Sequence, residues 1–209
     1  MIVVAMANFA SDGTSGDDPR ASSRVKASEL DAATLERCRK GDRMAFRAFV
    51  VRYERMVFAL LSRMTGRGSH VEDLAQEAFL RAFRALPNFD PEGAAKVSTW
   101  LLTIATRLAL DAKKRRTIPT VDLDAGADVA HGPTPEAHAR TRELGRAIER
   151  AANALPDDQR AAFVLAEFHG MGSKEIAGVL DIPEATAKTR LFRARERMRE
   201  SLAAAWEER

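Results

Sequence analysis

The feature that most limits what this chain can fold into is an interruption. Between Thr117 and Pro135 it carries Pro119, Pro133 and Pro135, Gly126 and Gly132, and the acids Asp122, Asp124 and Asp128. Proline removes a backbone donor and clashes with the preceding turn, so a helix cannot run through such a stretch. On either side, apolar residues recur at three- and four-residue spacing, the period of an amphipathic helix. The pattern predicts two small helical domains, 31–116 and 136–209, joined by a flexible acidic linker at 117–135. Residues 1–30, rich in Ser, Gly, Asp and Ala without a sustained period, read as a disordered N-terminal arm.

Composition points to an all-α fold. Aromatics make up only 6% of the 209 residues, and helix formers outnumber β-branched residues. In the first block a short helix is predicted at Ala32–Lys40, ending at Gly41. A long one follows from Asp42 to about Met64, with Phe46, Phe49, Val50, Tyr53, Val57, Leu60, Leu61 and Met64 on one stripe. The capping-box pattern Ser69-His70-Val71-Glu72 opens a third helix, which Pro87 ends. After the loop Asn88–Lys96, a fourth runs from about Val97 to Arg116, with Trp100, Leu101, Ile104, Leu108 and Ala112 in line. In the second block helices are predicted at about Glu136–Leu155, after Pro156-Asp157-Asp158, at Ser173–Leu180 with Ser173 as N-cap, and at about Glu184–Trp206.

Several function classes are excluded. A lone Cys38, on a short amphipathic helix, rules out an internal disulfide or a multi-cysteine zinc site, and fits a packing role in a reducing, cytoplasmic compartment. His70, His131, His138 and His169 are scattered, and Asp122 and Asp124 lack a third ligand at helical or strand spacing. No catalytic residue, metal or cofactor is expected. No apolar run reaches the roughly 18–20 residues of a membrane span. The run Ile2–Ala10 is short, lacks a basic segment before it, and reads as neither signal peptide nor anchor.

Charge is sorted into blocks although the net is only +3. Lys113-Lys114-Arg115-Arg116 closes the first block, and from Thr186 to Arg199 six basic residues, Lys188, Arg190, Arg193, Arg195, Arg197 and Arg199, accompany one acid, Glu196. Such sorting suits a polyanionic partner; solvated helix ends are the ordinary alternative. The segment from Ser173 to Glu184 reads as helix, tight turn, helix, with Ile176, Ala177 and Leu180 able to meet Leu191 across Ile182. On the last helix Ala187, Leu191, Ala194 and Met198 share one face; Ala185, Thr189, Phe192 and Glu196 lie opposite, flanked by Lys188 and Arg193. Arg190, Arg195 and Arg197 sit nearer the seam, within range of phosphates. A rod of about 10–12 Å diameter with basic flanks fits the DNA major groove. Phe192 either packs on a neighbouring helix or meets a thymine methyl or sugar. In the first block, Asp73, Gln76 and Glu77 lie off the apolar face, available to a basic partner or simply solvated. Arg107 and the basic helix end can follow a phosphate backbone, and the loop Asn88–Lys96 is long enough to take a splayed base.

The order of four motifs carries a resemblance over about residues 31–202. They are Asp73-Leu74-Ala75-Gln76-Glu77-Ala78-Phe79; Ser98-Thr99-Trp100-Leu101 through Asp111; an acidic linker; and Leu155-Pro156 with Glu175-Ile176-Ala177 and Lys188-Thr189-Arg190-Leu191-Phe192-Arg193. In this order the chain resembles an extracytoplasmic-function sigma factor of the sigma-70 type. The resemblance implies a promoter-specificity subunit without catalysis of its own, working with bacterial core RNA polymerase. It implies docking of Asp73, Gln76 and Glu77 on the β′ clamp helices, and of the C-terminal domain on the β flap. It implies −10 element contacts from Asn88, Lys96, Ser98, Arg107, Lys113 and Lys114, and −35 element contacts from Lys188, Thr189, Arg190, Phe192, Arg193 and Arg197. An anti-sigma factor is the family's usual regulatory partner. The alternative from the residues alone is a dimeric helix-turn-helix regulator that binds duplex DNA without polymerase, which predicts tight, salt-sensitive binding to a two-fold operator.

Overall fold

The computed structural model describes residues 29–66, 68–93, 95–116, 145 and 147–207. The linker expected at 117–135, the start of the helix expected from Glu136, and the arm up to residue 28 lie outside the described residues. The described chain is helical, in the order α1 (Ala32–Arg39), α2 (Arg43–Thr65), α3 (His70–Ala85), a 3-10 turn (Leu86–Asn88), α4 (Val97–Arg116), α5 (147–153), α6 (Asp157–Glu167), α7 (Ser173–Leu180) and α8 (Glu184–Glu207).

Local chemistry sets the boundaries. Asp31 caps α1 by accepting from the Thr34 N–H at 2.8 Å, and Asp42 caps α2 by accepting from Met44 and Ala45 at 2.8 and 3.2 Å. Ser69, expected to cap α3, makes no side-chain cap. Its backbone is already helical, and α3 is entered through i→i+3 backbone bonds from Val71 to Gly68 and Glu72 to Ser69. Ser173 is not the cap of α7 either. Gly172 holds that position, its N–H donates to the Glu175 side chain at 2.9 Å, and the Ser173 hydroxyl donates to Glu184 at 3.0 Å.

α2 is the axis of the N-terminal half. Phe49, Tyr53, Val57, Leu60, Leu61 and Met64 are fully buried along it, as the stripe predicted, and α1, α3 and α4 pack around it. Phe46 stacks on Phe49 at 5.5 Å and meets the edge of Phe83 at 4.7 Å. Cys38 is buried, and desolvation pushes its thiol up to about 11, which keeps it protonated and inert.

The C-terminal half packs directly on this bundle. α7 lies against α4 and α6 against α2, so Leu165, Met171, Ile176 and Val179 join Leu101, Leu102, Ala105 and Ala109 in one continuous core. This accounts for burial around α4 well beyond its predicted stripe, Leu102, Ala105, Thr106 and Ala109 included. Polar links cross the same seam. Arg160, 5% exposed, donates to the Met64 carbonyl at 3.2 Å as well as to Leu155 and Asn153 on its own side. Lys113 pairs with Asp157, and the Arg63 guanidinium sits 4.1 Å from the Phe168 ring centroid. A separate small core of Ala151, Leu155, Ala194 and Met198 ties α5 to α8.

Candidate nucleic-acid interface

The helix-turn-helix forms as its apolar clasp requires. Ile176, Ala177 and Ala187 are buried, and Leu180, Ile182 and Leu191 pack against them. The turn pivots on Asp181, whose φ of 54° is the left-handed conformation that a short polar side chain tolerates. The N–H groups of Asp181 and Ile182 both return to the Ala177 carbonyl, which closes the end of α7 and fixes where α8 begins.

α8 turns Ala187, Ala194 and Met198 inward and leaves Ala185, Thr189 and Phe192 outside, as the helical wheel predicted. Phe192 is 61% exposed, so it is no part of the core in this structure. Lys188, Arg193 and Arg197 are exposed beside it. Lys188 makes an i,i+4 pair with Glu184 at 2.9 Å, and this ammonium holds the Glu184 carboxyl below the usual carboxylate range. The Thr189 hydroxyl donates to the Ala185 carbonyl at 2.9 Å. Two of the seam arginines are engaged within the protein: Arg190 pairs with Asp158 at 3.1 Å and Arg195 with Glu167 at 2.6 Å. They brace α8 against α6 and hold its outward face at a set angle, a positioning role the wheel does not distinguish from phosphate contact.

The residues expected at the −10 element are spread along α4 and the loop before it. Asn88, Lys96, Arg107 and Lys114 are exposed. Ser98 is half-buried and bound to Glu29, and Lys113 is held by Asp157. The loop is anchored, because Phe89 is 8% exposed and its ring lies 5.1 Å from that of Trp100. Trp100 is therefore a half-buried support for the loop. On α3, Asp73 is exposed, Gln76 and Glu77 are half-exposed, and Glu77 pairs with Arg81 at 2.7 Å. Leu80 extends that face and is 40% exposed. The sequence held the signal for it, since it follows Asp73 by seven residues and Glu77 by three.

His169 is the most unusual polar group. It is 6% exposed, neither ring nitrogen has a hydrogen-bond partner among the described residues, and burial, helped by the Arg63 charge, pushes its pKa down to about 4. Among the described residues no cluster of His, Cys, Asp and Glu could hold a metal, and no helix is long and apolar enough to cross a membrane.

A helical bundle with acidic side chains exposed on α3 thus packs on a helix-turn-helix whose outward face is basic. The family model described as Sigma-70 region 2 matches residues 49–117, and that described as Sigma-70, region 4 matches 145–198. The chain belongs to the extracytoplasmic-function (ECF) RNA polymerase sigma factors. It is 39% identical over 177 residues to the ECF RNA polymerase sigma-E factor of Escherichia coli K12, covering 79% of this chain and 91% of that one. The corresponding factor of Haemophilus influenzae is 36% identical, with 79% and 92% covered. Among solved structures, CnrH in complex with the cytosolic domain of CnrY superposes with a TM-score of 0.60 at 25% identity, covering 82% of this chain and 96% of that one. The sigma factor RpoE bound to the anti-sigma factor NepR, from Bartonella quintana, gives 0.58 at 21%, with 76% and 96% covered.

Proposed function

We propose that this sigma factor docks on core RNA polymerase through the Asp73, Gln76, Glu77 and Leu80 face of α3 and reads the −35 element with the outward face of α8. Lys188, Thr189, Phe192 and Arg193 are the base-proximal set, and Arg197 is a phosphate contact. Arg190 joins them only where its pair with Asp158 yields. The −10 element falls to the loop Asn88–Lys96 and to Ser98, Arg107 and Lys114 on α4, with Lys113 joining them only where its pair with Asp157 yields. The observation that carries this reading is the large apolar Phe192, 61% exposed between cations on a helix whose opposite face is sealed in the core. A surface of that kind is made for contact.

The two halves act together. Each gives weak contacts, and a shared polymerase makes the second contact intramolecular, raising its effective concentration. Strand capture at the loop offsets an unstacking cost of about a few kcal/mol. A regulatory partner of the anti-sigma type fits the same logic, because a protein that holds the halves in their packed arrangement fixes the spacing of the two DNA faces and keeps them from being set independently on the polymerase. The chemistry is recognition alone, with no reaction carried by this chain. Run-off transcription with core polymerase on a genomic fragment library tests the reading. Promoter-specific transcripts that require this chain are expected; tight duplex binding without polymerase, and none with it, would replace it with the dimeric regulator.

A further inference from the structure

α4 begins at Val97, and the N–H groups of its first turn have no partners inside the helix. One of them, that of Ser98, is met from a distance. Glu29, sixty-nine residues upstream of Ser98, accepts from the Ser98 hydroxyl on Oε1, and its Oε2 accepts from the Ser98 N–H at 3.4 Å and from the Tyr53 hydroxyl at 3.2 Å. The Leu30 N–H donates back to the same Tyr53 oxygen at 2.9 Å, which locks the segment in place. Tyr53 is fully buried, and desolvation raises its pKa, so its hydroxyl stays a donor. Three donors of the N-terminal bundle therefore converge on one carboxylate.

A cavity of about 280 Å³ at the seam between the halves adjoins this contact, lined by Glu29, Lys96, Ser98 and Glu175 and by the buried His169 ring, whose nitrogens are both unpartnered among the described residues. Helix N-termini bind phosphate through their free backbone N–H groups, of which the Ser98 N–H is one. We infer that Glu29 is an internal stand-in for a backbone phosphate of the melted promoter strand, and that the strand must displace it to seat on Ser98 at the start of α4. The segment before α1 thereby sets a threshold for strand capture. One anion leaves as another arrives, so the helix end is capped in both states. This inference rests on the assignment of α4 to the opened strand made above.

Fluorescence anisotropy of the full chain with a labelled oligothymidylate of about twelve nucleotides tests it, since a phosphate contact does not depend on base sequence. An occluded site lowers apparent affinity by the fraction of time it is open. Glu29→Gln is expected to tighten binding by about threefold to tenfold, with far-ultraviolet circular dichroism and melting temperature showing that the fold persists. The gain must vanish in Glu29→Gln/Ser98→Ala, which lacks the hydroxyl that receives the phosphate. A gain that survives in the double variant reflects only the removed negative charge and overturns the inference, as does unchanged or weaker binding by Glu29→Gln. If the wild-type chain fails in run-off transcription yet Glu29→Gln still binds the oligonucleotide more tightly in a Ser98-dependent way, the sigma reading of α4 fails while the displaced-carboxylate site stands.

Discussion

His169 makes the packed structure sensitive to acid, and the size of the effect follows from its surroundings. Its ring is buried where the halves meet, facing Arg63 of α2, Lys96 and Glu29 at the start of α4, and Glu175 of α7. With a pKa of about 4 in the packed state and 6.5 when solvated, the histidine binds protons preferentially in the unpacked or unfolded chain. Stability is therefore full above about pH 6.5 and is lost as pH falls toward about 4. At about pH 5 the two protonation equilibria differ roughly thirtyfold, a loss of about 2 kcal/mol. With a urea slope of about 2 kcal/mol/M, the midpoint should fall by about 1 M between about pH 7.5 and pH 5. Exposed carboxylates held low by their partners, such as Asp42 and Glu184, lose stability in the same direction but at lower pH. His169→Phe removes the titrating ring and puts a somewhat larger aromatic ring beside a cavity with room for it. It should flatten the wild-type slope over this window and leave the chain at least as stable at neutral pH, because two unpartnered buried nitrogens disappear. Parallel urea midpoints for both proteins across the window would refute the argument.

Arg160→Ala should cost about 3–4 kcal/mol and lower the melting temperature by about 10 °C by calorimetry, because it strips three carbonyls of a buried charged donor; Arg160→Lys should recover less than half of this. Arg193→Ala should weaken transcription from −35-dependent promoters by about tenfold in run-off assays while leaving the melting curve unchanged. Leu80→Lys should reduce association with core polymerase by about fivefold in a competition assay, again without loss of thermal stability, since Leu80 is already exposed.

The helices were legible because their apolar residues repeat cleanly. The eight residues of the α2 stripe are all buried, and the inward and outward faces of α8 fall where the wheel puts them. The seam between the halves was not legible. On α4 burial extends past the stripe to Leu102, Ala105, Thr106 and Ala109, and small residues and a threonine off the stripe look neutral in a periodicity count. Arg160 was hidden for the opposite reason, since an arginine in an amphipathic helix is expected outside. Ser69 and Ser173 matched cap patterns, but backbone geometry at α3 and the Glu175 carboxylate at α7 filled those roles first. The Glu29 contact joins segments too far apart in sequence for any local pattern to suggest. Among the DNA-facing candidates, the sequence named the cations but could not say that Arg190, Arg195 and Lys113 are spoken for by acids of the same chain.

A core shared across the seam changes what it means to separate the halves. Ile176, Val179 and Leu102 are covered by each other's domain, so pulling the domains apart wets oily surface on both sides, at about 25 cal/mol for every Å² laid bare. Whatever draws them apart has to bring its own lining for those surfaces. By the same reasoning, either half expressed alone would carry a sticky scar where its neighbour used to be.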